Sequence, residues 1–149
     1  MGALSRHGLT AGLLLALATP VAALEYRNTA RAAILYDAPS TTSTRLAIAG
    51  SGLPLELVVV TDGWVRVRDH SGRLGWIEAS ALGGARRVMV RADTGVARQQ
   101  PRADADVAFR AARGVLLETG SEAGTPGWIQ VRHPSGLVGW LPVSEVWGQ

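Results

Sequence analysis

The sequence predicts an all-β protein: two tandem small β-barrels packed together, preceded by a signal peptide. Three observations carry this reading. A stretch of nineteen residues recurs 64 positions later without a gap. Apolar and polar residues alternate with period two in runs closed by glycine-containing turns, the pattern of half-buried strands. The chain after Ala23 shows no amphipathic helical periodicity.

The leader comes first. Arg6 and His7 form a short polar start, Leu9–Ala18 is a largely apolar run, and Pro20 breaks it. Val21-Ala22-Ala23 then supplies small residues at the cleavage positions. The run falls well short of the ~20 apolar residues that span a bilayer. Residues 1–23 are therefore expected to be removed, leaving a periplasmic or secreted chain with no stable membrane insertion.

The repeat organises the rest. Trp64–Leu82 reads WVRVRDHSGRLGWIEASAL and Trp128–Val146 reads WIQVRHPSGLVGWLPVSEV, with eight identities that include both tryptophan pairs and both glycine pairs. Upstream the match is looser: Ala33–Pro39 faces Gly95–Pro101, while Gly52, Leu55 and Glu56 face Gly114, Leu117 and Glu118. Within the first repeat, Trp64–Arg68 alternates as a strand, Asp69-His70-Ser71-Gly72 is turn chemistry, and Leu74–Ile77 returns antiparallel. Leu53–Thr61 is rich in β-branched valine, and its Pro54 suits the start or edge of a strand. Ala30–Tyr36 and Arg45–Ala49 are weaker strands, and Glu78–Leu82 has room for one 3₁₀ turn. The expected domains are 24–86 and 87–149. Between them Arg86–Arg91 alternates again, and it closes the first barrel, opens the second, or does both. The second repeat stops so soon after Val146 that it has no room for a closing strand of its own.

Composition narrows the function. With 47% apolar residues and a net charge of +3, the chain is not expected to be disordered. All fifteen cations are arginines interspersed with twelve acids, so no continuous basic face points to nucleic acid. The absence of cysteine removes disulfides, thiolate catalysis and zinc–cysteine sites. Domains near 60 residues bury only about 60% of their unfolded surface. Without disulfides, the two repeats are expected to pack into one cooperative unit. Val88 and Val90 share one face of their strand and are expected to be buried. Trp147, beyond the repeat, is expected to cover exposed apolar surface.

These residues resemble a known family. Ala33-Ile34-Leu35-Tyr36-Asp37 is similar to the Ala-Leu-Tyr-Asp segment that opens an SH3 barrel. Gly139-Trp140-Leu141-Pro142-Val143-Ser144 resembles the Gly-Tyr-Ile-Pro-Ser-Asn run near its end. With an export signal and a tandem arrangement, the chain looks most like the bacterial SH3-like (SH3b-type) domains. The resemblance implies two SH3-like barrels and an aromatic groove for extended peptides. Its candidate residues are Tyr36, Trp64 and Trp76 in the first repeat, and Trp128, Trp140 and Pro142 in the second. Arg98-Gln99 departs from Tyr36-Asp37, Glu78 stands where the second repeat has Pro142, and no acidic loop selects basic peptides. The implied partner is cell-wall peptide or an envelope protein. Against this stands the ordinary role of tryptophan in a small barrel, which is core, because one ring buries roughly 150–250 Å².

Other chemistry is thin. His70 and His133 sit near hairpin turns without further ligands at metal spacing, so no cofactor or metal is expected. Asp104 and Asp106 read as solvated loop acids, and Ser71 and Ser135 as turn residues. The Arg66/Arg68 stripe reads as the wet face of a strand or a contact for anionic wall polymers. The chain is expected to be a non-catalytic binding module of the cell envelope. The alternative is a regulatory or targeting fragment of a cell-wall hydrolase system.

Overall fold

The computed structural model describes residues 23–120 and 124–149. The expected leader, residues 1–23, lies outside the described residues apart from Ala23. Among the described residues, two antiparallel sheets contain the strands. The first is built from β1 (Tyr26–Asn28), β2 (Ala33–Tyr36), β3 (Arg45–Ala49), β4 (Pro54–Val60), β5 (Trp64–Arg68) and β6 (Leu74–Glu78), in the order β1-β4-β5-β6-β2-β3. The second holds β7 (Arg87–Val90), β8 (Thr94–Arg98), β9 (Val107–Ala112), β10 (Leu116–Thr119), β11 (Trp128–Arg132), β12 (Val138–Pro142) and β13 (Val146–Trp147). Its order is β13-β7-β10-β11-β12-β8-β9. Apart from β13, the two orders are the same.

Alternation decides which face turns inward. In β5, Val65 and Val67 are buried while Trp64, Arg66 and Arg68 are half-buried. β5 pairs with β6 through Trp64↔Glu78 and Arg66↔Trp76, and β11 with β12 through Trp128↔Pro142 and Gln130↔Trp140. Leu35, Leu55, Val67 and Ile77 fill the first core. Val88, Val90, Leu117, Val131 and Leu141 fill the second. Each such burial contributes about 1.5–3 kcal/mol. The glycine before each repeated tryptophan is explained by crowding. A Cβ at Gly75 would meet Leu35 Cβ at 3.1 Å, and one at Gly139 would press on Ala97 and Ala108. Single 3₁₀ turns, Ala79–Ala81 and Val143–Glu145, follow the paired strands.

The strand between the repeats opens the second barrel. β7 lies between β13 and β10 and belongs wholly to the second sheet. Val88 and Val90 are buried in that core. The first barrel has its own opening strand, β1, which three residues are too few to reveal by alternation. The second repeat also closes itself, contrary to expectation: Val146 and Trp147 pair with Val90 and Met89. The single bridge Thr29↔Leu82 does the same in the first.

The two barrels meet along a polar and aromatic seam. Asn28 is buried, and its Nδ2 donates to the carbonyls of Gly52 and Arg87, each at 3.0 Å. Arg87 N donates back to Asn28 Oδ1 at 3.2 Å, so one side-chain amide pairs with β7 as a neighbouring strand would. Trp147 does cover apolar surface, but it also donates from Nε1 to Pro54 O at 3.2 Å. Its ring meets Tyr26 edge-on, with centroids 5.2 Å apart.

Candidate functional site

The outer face of the first sheet gathers most of the aromatic residues singled out in sequence. Tyr36 lies opposite Trp76, which in turn lies opposite Arg66. The Tyr36 and Trp64 rings meet edge-to-face at 5.7 Å and 82°, a geometry that contributes beyond buried area alone. Tyr36 is almost covered, whereas Trp64 and Trp76 stay half-exposed. Tyr36, Ile34, Glu78 and Arg31 line a hollow of about 200 Å³. Ile34 also lines a second hollow of about 270 Å³ with Arg45, Leu46 and Ile48. Ile48 is 76% exposed, a large apolar surface with no covering in the molecule. Ile34 and Ile48 extend the aromatic face, and they were missed in the sequence. Their signal was present: Ile34 is two residues from Tyr36 and so shares its side of an alternating strand.

The second sheet treats the same positions differently. Arg98 replaces Tyr36 opposite Trp140, and its Nη1 donates to Ala105 O at 2.9 Å. Val96 and Arg110 pair where Ile34 and Ile48 pair in the first. Trp140, like Tyr36, is almost covered, lying on the side of its strand opposite the core residue Leu141. Trp128 lines a separate hollow of about 360 Å³ with Ile129, Gln130 and Val143, without Trp140. Pro142 is half-buried opposite Trp128. The structure thus brings Tyr36 into ring contact with Trp64 on the face that also carries Trp76, whereas Trp128 and Trp140 share the equivalent face of β11 and β12 with Arg98 in place of the tyrosine.

The polar candidates are occupied locally. Asp69 Oδ1 accepts from Ser71 N, Ser71 Oγ and Arg73 N, which closes the β5–β6 turn. Burial raises the Asp69 pKa, but the hydrogen bonds from Ser71 and Arg73 and the nearby His70 outweigh it, leaving the carboxyl below its ordinary value. His133 Nδ1 plays the equivalent part with Ser135. Asp104 pairs with Arg102 at 2.7 Å on the surface. Arg68, half of the expected wet stripe, is held by both oxygens of buried Glu56 at 3.0 and 3.1 Å. Among the described residues, no three His, Asp or Glu side chains gather as a metal site.

A family model described as bacterial SH3 domain matches residues 30–84 and again 91–148. No curated protein matches the chain. Among solved structures, NlpC2 and NlpC1 from Trichomonas vaginalis are each 8% identical, with TM-scores of 0.39 and 0.38. They overlap 85% and 94% of this chain and 49% and 51% of their own. An NlpC/P60 family protein from Bacillus cereus is 16% identical over 83% of this chain and 56% of its own, with a TM-score of 0.39. The chain spans about half the length of these structures.

Proposed function

Because the chain belongs to the bacterial SH3 domain family, through both of its repeats, we propose that it is a non-catalytic binding module of the bacterial cell envelope. In this reading the first repeat carries the working groove, and its ligand is an extended cell-wall peptide. The observation that supports it most is the contact of Tyr36 with half-exposed Trp64, continued by Ile34 and Ile48. Aromatic and aliphatic surface of this kind gives an extended chain large contact area with little side-chain entropy to lose. The second repeat does not repeat this aromatic groove, since Arg98 stands in the tyrosine position. The domain boundary is proposed between Arg86 and Arg87, and the mature chain is proposed to act outside the cytoplasm from an N-terminus at Leu24.

Co-sedimentation with purified sacculi tests the reading. Tyr36→Ala and Trp64→Ala should each weaken binding about tenfold or more, while Trp128→Ala should leave it within twofold. Binding untouched by both first-repeat substitutions, or no binding by the wild type, would overturn it. Mass spectrometry of protein recovered from the periplasm or medium checks the processed terminus.

A further inference from the structure

The two repeats carry the same row of three residues across three strands, with one telling exchange. In the first, Tyr26, Glu56 and Arg68 lie side by side on β1, β4 and β5. Glu56 is buried and spends its charge on Arg68, and Trp147 packs against the tyrosine. In the second, Arg87, Glu118 and Arg132 occupy the same row on β7, β10 and β11. Here the carboxylate turns to the other side: Arg87 Nη2 donates to Glu118 Oε1 at 3.1 Å. Arg132, the counterpart of Arg68, has no ion pair with any described residue. A neutral row has become one with two guanidinium groups to one carboxylate.

A cavity of about 320 Å³ opens beside this row, lined by Arg87, Glu118, Arg132 and His133, with Leu116 and Pro134 as apolar wall. That volume is at the small end of ligand sites. A single excess positive charge, presented on a planar fork of donors, matches one carboxylate. The adjacent Glu118 disfavours a dianion, and the apolar wall suits a short aliphatic group next to the charge. We infer that this cavity binds a carboxylate flanked by small apolar groups, namely the C-terminus of a peptide ending in alanine-like residues. The site is separate from the aromatic face of the first repeat and does not rest on it.

The test uses the whole mature chain and three probes: N-acetyl-Ala-Ala, the same dipeptide as its C-terminal amide, and inorganic phosphate. Binding is followed by NMR at the Arg132 side-chain Nε–H and the backbone amides of Leu116 and Gly136. The free acid should shift these signals with millimolar affinity, and the amide should bind about tenfold more weakly. Arg132→Gln should weaken the acid about tenfold without lowering the melting temperature, and Glu118→Gln should tighten it. Tyr36→Ala should leave the dipeptide's affinity unchanged, which keeps this result apart from that of the sacculus assay. Equal binding of acid and amide would overturn the inference. So would phosphate binding as tightly as the acid, indifference to Arg132→Gln, or no shift at about 20 mM dipeptide.

Discussion

Replacing Asn28 with alanine should loosen both barrels at once. The side chain makes three hydrogen bonds at a site only 7% exposed: two donations to Gly52 O and Arg87 O, and one acceptance from Arg87 N. Each contributes about 0.5–1.5 kcal/mol net, and buried partners left bare cost more. The expected loss is about 3 kcal/mol, a large part of the ~5–15 kcal/mol that holds an ordinary domain. At roughly 3–5 °C per kcal/mol for a chain of this size, melting should fall by about 10–15 °C. Differential scanning calorimetry reads this directly. The wild type should show one transition whose calorimetric and van't Hoff enthalpies agree, and Asn28→Ala should move it down as a whole or split it. Two independent transitions in the wild type would refute the idea that the seam makes one cooperative unit. So would a shift in the mutant smaller than about 3 °C.

Three further outcomes follow from other contacts. The Asp69 carboxyl is held below its ordinary pKa, so its stabilising effect is present above the unfolded value near 4 and is lost as pH falls through the lower folded value. Asp69→Asn should therefore flatten the acid limb of melting temperature against pH. Tyr26 has the opposite sign: burial, helped by Glu56, raises its phenol above 10.0, so stability should decline as pH rises through that raised value, and Tyr26→Phe should remove this alkaline loss in the same assay. Gly52 has φ +78°, and a Cβ there would strike the Arg87 guanidinium; Gly52→Ala should cost about 1–2 kcal/mol by chemical denaturation.

The strands most legible in the sequence are those whose apolar and polar residues alternate over five positions. Trp64–Arg68 announces inward Val65 and Val67, Trp128–Arg132 announces inward Ile129 and Val131, and each announces its turn, so their pairing with the next strand follows. β1 and β13 are three and two residues long, too short for any period to register. What they contribute is set by partners far along the chain: Trp147 reaches Pro54, and Asn28 reaches Arg87. The candidate face divides in the same way. Tyr36 and Trp64 were legible as aromatic residues in a familiar pattern, but their edge-to-face contact and the near-complete covering of Trp140 were not. That Arg132 has no ion pair among the described residues was illegible for the same reason, because Glu118 could be assigned to Arg87 only once the register of β7 against β10 was known.

The amide of Asn28 and the indole of Trp147 tie together two barrels that a short glycine-containing connection, Gly83-Gly84, would otherwise leave free to swing. Tethered sites gain avidity from a high effective concentration, but only when their separation fits the spacing of what they hold. A swinging pair would accept many spacings at modest gain. A bolted pair accepts few, and gains more from those. For a polymer with regularly placed peptides, the seam would thus act as a ruler: it would select for ligand spacing without touching any ligand.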